Sequence, residues 1–528
     1  KLGQKAFLTI NGQYSTTSDV PRYDRLTETS GGPDQVKFSE WYYGPQERVL
    51  GSLKFNMFKE NVLFDKSTII ASFQKIDEDR FSRKFGRSSR TWNSEDLLVY
   101  GLTMDFSKDL DQAGNHTIGY GFDGNYNDVK SRVLQQSVVT GRLTPGRELT
   151  RYPSDGSTLQ AMGTYFNYRI SNTAKTLFLD AGLRYSWVSV TAKYKEQDET
   201  FINWDPSFFE GIQNDNQDLS WALGLTWNSK DHWQVRALTA RAFRAPNVDD
   251  IFKNRIKNDK AVLPNMNLRP ETAISSELTL AKTIAGNSPN NVKVSLTGFY
   301  TQLDDVIVRR DGLTPDGESQ IIGDGGQAIF DVQQNFNADQ ATIYGASGNI
   351  LLKTATGVKL FGGINFTKGE TTFRISDDDS NILFDTLTPM SHIPPIYGKA
   401  GISLEKEKFR IEGVYRFNGS KPLNEYAVTE IQVDPKTGEV TSIDREGSSD
   451  NLLQSGTCIH EDGDGIEKTF CEGALAWSTL NLYSTVKLGK VFSVNFAVEN
   501  ILDTHYRPFS SGISGAGRNF IVTLRAKF

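Results

Sequence analysis

The chain has 528 residues, a formal net charge of −6 and a charged fraction of 23%, with a mean hydropathy of −0.44. A helix that crosses a bilayer needs roughly 18 or more consecutive apolar residues, and the sequence offers no such run, so helical spans are excluded. The acidic balance and the scatter of Lys and Arg without a continuous basic patch argue against nucleic acid as a partner. The five histidines stand apart at His116, His232, His392, His460 and His505, and no spacing of Ser, His and an acid suggests a catalytic arrangement, so no enzyme is expected.

A polar average does not exclude strands that cross a membrane, because a barrel strand needs only about 9 to 11 residues with every second one apolar. The 32 Phe, 19 Tyr and 8 Trp suit the aromatic girdles of such barrels. In chain order, Leu177, Leu179, Ala181, Leu183, Tyr185 and Trp187 alternate with Phe178, Asp180, Gly182, Arg184 and Ser186. Trp221, Leu223, Leu225 and Trp227 repeat the period, as do Phe492, Val494, Phe496 and Val498 against Ser493, Asn495, Ala497 and Glu499. Phe520, Val522, Leu524, Ala526 and Phe528 close the chain on an aromatic residue. A soluble sandwich would alternate as well; the connections separate the two.

Short connections are expected near residues 59–65, 108–114, 171–175, 228–232, 285–291, 354–357, 405–408 and 488–491. Long ones are expected near 15–44, 74–92, 126–156, 192–218, 244–272, 304–340, 369–394, 418–474 and 502–517. Strict alternation of short and long connections is the habit of outer-membrane barrels, with the long loops outside. Nine long and eight short connections predict about 18 strands in an all-β, antiparallel transmembrane barrel domain over residues 1–528. Cys458 and Cys471 lie in the longest outer loop and are expected to form a disulfide, which implies an oxidising compartment; two unpaired thiols are the alternative.

Several motifs resemble a known family. Phe243-Arg244-Ala245-Pro246 opens one long loop and Asn265-Met266-Asn267-Leu268-Arg269-Pro270-Glu271-Thr272 closes it, similar to the paired FRAP and NPNL boxes of TonB-dependent outer-membrane receptors. Met266 departs from the second box, where Pro is usual. Glu499-Asn500-Ile501-Leu502-Asp503, then His505-Tyr506-Arg507 and Gly517-Arg518-Asn519-Phe520, resemble the family's last hairpin and closing strand. Pro21-Arg22-Tyr23-Asp24-Arg25-Leu26, Trp41-Tyr42-Tyr43-Gly44-Pro45-Gln46, Ile393-Pro394-Pro395-Ile396-Tyr397-Gly398, and Arg416-Phe417-Asn418-Gly419 with Lys421-Pro422-Leu423 add a likeness to Bacteroidetes receptors.

The resemblance implies a plugged barrel of about 22 strands. Against a count of about 18, it implies that the amino-terminal plug, the TonB box and about four strands are absent from this sequence; a natural deletion would leave an open pore. It further implies energised import of a scarce nutrient, with TonB acting through the missing plug region. A ferric siderophore is the leading cargo, since Arg and aromatic side chains suit a bulky anionic chelate: Arg22, Tyr23, Trp41, Tyr42, Tyr43 and Arg244 are the candidate contacts. Each of these, taken singly, is equally well read as girdle or loop packing. Haem is less favoured because residues 247–264 contain no His, although His392 or His460 could ligate iron. Cobalamin, glycan or peptide import, the last two with a surface lipoprotein, remains open. A structural barrel in an envelope assembly or secretion machine is the rival from another class. Outer-membrane lipid and lipopolysaccharide are expected partners of rim Arg and Lys.

No resident cofactor is expected beyond calcium in an outer loop. Glu461-Asp462-Gly463-Asp464-Gly465-Ile466-Glu467 clusters carboxylates with glycines, and Asp462, Asp464 and Glu467 are the candidate ligands, although the full twelve-residue calcium pattern is absent. Asp377, Asp378 and Asp379 are weaker, because adjacent side chains on an extended chain point apart.

Overall fold

The structure is a computed structural model that describes residues 5–29, 35–146, 150–195, 207–257, 260–285, 288–323, 328–337, 340–376, 382–433, 440–445, 458–461, 467–471, 473–511 and 513–527. Its main feature is a 22-stranded sheet, of which 18 strands run in sequence order, each antiparallel to the one before. They are β1 (Ala6–Thr16), β2 (Glu47–Phe58), β3 (Lys66–Lys84), β4 (Ser89–Asp109), β5 (His116–Ser137) and β6 (Ser157–Ser171). Next come β7 (Leu177–Ala192), β8 (Ile212–Asn228), β9 (Trp233–Arg244), β10 (Glu271–Ile284), β11 (Asn291–Asp304) and β12 (Gln340–Lys353). The last are β13 (Val358–Ser376), β14 (Tyr397–Glu405), β15 (Phe409–Asn418), β16 (Trp477–Leu488), β17 (Phe492–Glu499) and β18 (Asn519–Ala526). Unbroken pairing runs from β1 to β18. The expected strand count and all eight short turns are met.

The side-chain period of two gives this ladder two different faces. On one, Leu183 stands between Phe166 and Trp221, and Leu179 between Ile170 and Leu225. Leu225 continues to Ala237 and then Leu278, and Phe496 lies opposite Val522. These side chains are uncovered, with Leu183 51%, Phe496 48% and Leu524 67% exposed. A continuous apolar face of this extent needs a lipid surface to bury it. On the other face Arg184 reaches Asp123 through two bonds of 2.5 and 2.9 Å. Its guanidinium crosses β6 at Gly163, where a Cβ would collide with Arg184 Nη2, so the glycine is what lets the ion pair form. One cavity of about 530 Å³ is lined from β4 through β10, by residues that include Asn167, Arg169, Asp180, Arg236 and Glu277. Lining by seven consecutive strands requires that the sheet curl around its polar face.

The two ends of the ladder differ. The short turns close with left-handed residues at Gly114, Lys175, His232, Ala285, Gly357 and Gly489, the conformation tight hairpins demand. At Gly357 a Cβ would also collide with Glu405 O, which leaves no room for a side chain. At the opposite end strands replace several expected loops: within 369–394, β13 runs on to Ser376 and pairs with Ile382–Pro389, and residues 74–92 do not form a long loop, because β3 and β4 continue until only 85–88 connect them. The added stretch pairs Asp77, Glu78, Asp79 and Arg80 with Asp96, Glu95, Ser94 and Asn93. It is polar on both faces, so alternation ends while the backbone ladder, which needs no apolar face, goes on. Likewise β5 runs to Ser137 rather than ending near Tyr126. At about 3.4 Å per residue, the 19 residues of β3 reach well past an apolar band about 25 Å tall.

The long connections also build a core of their own. A one-turn helix, Val248–Phe252, and the strands Arg255–Lys257, Lys260–Leu263, Ile307–Asp311, Gln320–Gly323 and Ala328–Asn337 form a cap with a five-stranded sheet. Ile251, Phe252, Leu263, Leu268 and Val332 are buried in it with Val190, Ala192 and Tyr194 from the end of β7. Elsewhere, the short ladder of Cys458–Glu461 with Glu467–Cys471 sets Cys458 directly opposite Cys471. β1 and β18 each pair on one side only among the described residues; the bare edges between them are called the seam below.

Candidate ligand site at the long-loop end

The first long connection adds a strand, Phe38–Tyr43, to the extended part of β3, with Tyr43 opposite Arg80 and Trp41 opposite Ser82. This register puts Trp41 and Tyr43 on the polar face, together with Arg22. The Arg22 guanidinium lies over the Trp41 ring at 5.1 Å and the Tyr43 ring at 5.5 Å and donates to Tyr43 Oη at 2.7 Å. Its charge is met by Asp24 at 2.7 and 2.5 Å. That hydrogen bond, against the cost of burial, holds the Asp24 carboxyl below its usual range. Tyr42 points to the other face, stacks on Phe81 at 5.0 Å and accepts from Arg90 at 2.5 Å. Tyr23 is 74% exposed. Of the six expected contacts, therefore, three are brought together, one is turned away, and Tyr23 stands free in solvent.

The sixth, Arg244, belongs to a corner that the two boxes build. Asn247 caps the one-turn helix by accepting from Asp250 N, while the Asp250 carboxylate accepts from Asn247 N, satisfying donors that the helix start leaves open. Arg244 joins that corner to β10 by donating to Asp250 at 2.6 Å and to Glu271. Glu271 also accepts from Ile307 N at 2.7 Å. From the second box, Leu268 is buried and Asn265 donates to Asn335 O at 2.8 Å. With both carboxylates engaged, the boxes act here as a frame that positions the cap.

What the frame positions is a cluster that the motifs did not mark. Asp249 accepts from Lys253 at 2.7 Å, Tyr152 Oη at 3.0 Å and Arg151 at 3.3 Å. Burial opposes its ionisation, but the hydrogen bond and charge of Lys253, with Tyr152 and Arg151, prevail and hold the carboxyl below its usual range. Arg309 belongs to the same field: burial pushes it down, and the charge of Asp249 opposes that push. Lys253 is pushed down by burial and by the charges of Arg151 and Arg309, although Asp249 pulls the other way. Tyr152 is pushed up to about 12, chiefly by burial. Asp249 thus meets three cations, with Glu95 acting on Arg151 as a second carboxylate, in a setting where charges are only partly screened, and an added anion would be favoured. A signal for this cluster existed: Arg151-Tyr152 repeats the Arg22-Tyr23 pair, and Asp249 with Lys253 is an i, i+4 ion pair on a helix.

The expected calcium ligands Asp462 and Asp464 lie outside the described residues, as do Asp377, Asp378 and Asp379; of Glu467 only the backbone is described, at the start of its strand. Among the described residues no group of three or more His, Cys, Asp or Glu is placed to hold a metal.

An 18-strand ladder with one apolar face, a curled polar face and a charged cap over one end defines a membrane-spanning β-barrel of receptor type. The family model described as "TonB dependent receptor-like, beta-barrel" matches residues 2–501, and the chain belongs to that family, an outer-membrane family of receptors rather than enzymes. Relatives include the iron-regulated outer membrane virulence protein of Vibrio cholerae serotype O1, 26% identical over 149 residues, which are 27% of this chain and 21% of that protein. Another is hemoglobin and hemoglobin-haptoglobin-binding protein A of Haemophilus influenzae, 26% identical over 184 residues, 35% of this chain and 16% of that protein. The matched parts therefore span about a fifth or less of these relatives. Among solved structures, copper transporter OprC superposes with a TM-score of 0.65 at 12% identity, covering 99% of this chain and 76% of that one, a likeness of fold alone.

Proposed function

We propose that this chain is the barrel of a TonB-dependent receptor that imports a scarce iron-bearing ligand, most of all a ferric siderophore, through a mouth formed by the long connections, which face outside the cell. The observation that carries the reading is the cluster at Asp249, on which Arg151 and Lys253 pair while Arg309 lies in the same field. Such a field favours an anionic chelate, and Arg22 with Trp41 and Tyr43 offers flat surfaces in the first long connection. The printed names of the two relatives, one iron-regulated and one hemoglobin-binding, point to iron supply. They keep haem as a second reading, with His392, one of the two histidines considered for iron, among the described residues.

Bare strand edges are costly in hydrocarbon. We therefore read the seam as the place where the barrel is completed, with a plug inside and TonB as its inner-membrane partner. Orientation is tested by impermeant thiol labelling of intact cells. A cysteine at Gly447 should label and one at Gly489 should not; the reverse pattern would invert the barrel. For function, deletion of the full gene should abolish growth when chelated iron is limiting and spare growth on abundant free iron salts. Normal growth on every iron, haem, cobalamin and glycan source, together with an envelope defect, would favour the structural alternative.

A further inference from the structure

The last long connection, residues 500–518, folds back over the start of β16. Trp477 lies against Tyr506 with ring centroids 4.5 Å apart, and a Cβ at Gly515 would collide with the Tyr506 ring. Packing against Trp477 and Gly515 sets the Tyr506 ring in place, and with it the chain that carries Arg507. Arg507 Nε and Nη1 are sealed from solvent and have no acceptor among the described residues, and the same holds for the indole Nε1 of Trp477. Among the described residues Asp24 is the carboxylate whose charge acts on Arg507. Asp24, however, already accepts two bonds from Arg22 and lies 3.9 Å from Arg25. The adjoining Glu28 is held by Arg25 and by Lys37 at 3.5 Å. Among the described residues, the ion pairs of Arg22, Arg25 and Lys37 and the charge that acts on Arg507 thus come from Asp24 and Glu28 alone.

A buried donor without an acceptor costs about 1–3 kcal/mol, and more when charged, so these donors, on Arg507 and on the Trp477 that packs against the adjoining Tyr506, call for a partner. The planar guanidinium fork matches a carboxylate or phosphate through two parallel bonds, and an indole N–H adds a neutral donor. We infer that Arg507 and Trp477 form an oxyanion subsite between the first and last long connections, taking a carboxylate or phosphate. Two sources supply that chemistry. One is an anionic group on a soluble ligand; the other is a carboxylate side chain of the receptor itself. The subsite is separate from the Asp249 cluster, and its existence does not depend on which cargo is imported.

The test uses the full-length receptor in detergent, with citrate and inorganic phosphate as probes and thermal unfolding as the readout. For a soluble source, saturating citrate or phosphate should raise the wild-type Tm by several degrees through mass action. Arg507→Gln should lose that rise and Arg507→Lys should keep part of it. Trp477→Phe should weaken the apparent affinity several-fold while leaving the Tm without anion no lower. For an internal carboxylate, neither anion should matter, and Arg507→Gln should lower the Tm because a formed ion pair is broken. An Arg507 that has no acceptor responds differently: Arg507→Gln removes an uncompensated charge, Tm stays or rises, and neither anion acts on either protein, which would overturn the inference. Should Arg507→Gln fail to fold, Trp477→Phe decides alone, and unchanged Tm with unchanged anion response would count against the subsite.

Discussion

The ladder and the cap are made of the same chain but held by different means. In the ladder, each strand needs only its two neighbours and a lipid surface for every second side chain, and the backbone bonds are complete without a packed interior. The cap has no lipid to bury its apolar groups. It encloses Ile251, Phe252, Leu263 and Val332 in a small core and ties the enclosing segments with ion pairs and side-chain bonds to backbone, such as Tyr194 Oη to Phe252 O at 2.9 Å. The contrast teaches that a "loop" of this barrel can be excised without touching strand pairing, yet not without dismantling its neighbours. Residues 247–264 supply the helix and a strand to a core shared with β7 and with residues 307–337.

The largest effect should come from breaking that shared core. Phe252 is fully buried, and Phe252→Ala should cost about 3–5 kcal/mol locally by leaving a cavity. Limited proteolysis should then cut the cap while heat-modifiability on gels shows the barrel intact; a cap that stays protected would mean its core is not cooperative. Next comes the ladder. Phe496→Arg puts a charge on the lipid face at a cost of about 2–4 kcal/mol near the midplane, whereas Asn495→Arg places it on the polar face opposite Thr485 and Thr523. Urea titration in lipid vesicles should show a clear loss for the first and little for the second, and equal losses would mean the faces are reversed.

The smallest effect concerns the ion cluster. Because the Asp249 carboxyl is held below its usual range, its contribution is present above the ordinary carboxylate pKa of about 4 and is lost as pH falls through the depressed folded value. Hydrogen exchange of the helix Val248–Phe252 should therefore be steady from neutral pH down to about 5 and quicken only under more acid conditions, after correction for intrinsic rates. Asp249→Asn should remove that acid-side change and loosen the helix at neutral pH. The expected size is about 0–1 kcal/mol, given how far solvent screens a partly exposed pair.

Much of the ladder is legible in the sequence, and the reason is that its rule is local. Alternation at Leu177 to Trp187, or at Phe492 to Val498, is a period of two residues visible in a short window, and the short turns follow wherever the period is interrupted. Where the ladder outruns the rule, as between Asp77 and Asp96, the strands have left the lipid and no longer need an apolar row, so the pattern falls silent while the hydrogen bonds continue. The candidate site is legible only in part. Arg22, Trp41 and Tyr43 can be named from residue type, but that Asp24 neutralises Arg22 and that Tyr42 faces away depends on strand register.

By itself, then, the sequence determined the all-β class, the strand count and the division into an apolar and a polar face, because each is set by neighbours one or two residues apart. Only the tertiary structure decided that Arg151 meets Asp249 from 98 residues away, and that the box arginine Arg244 is spent on Asp250 and Glu271. It alone left Arg507 with buried donors and no acceptor among the described residues. Ion pairing and burial are properties of groups brought together by folding, and nothing in a local period reports which distant charges will share a space from which water has been removed.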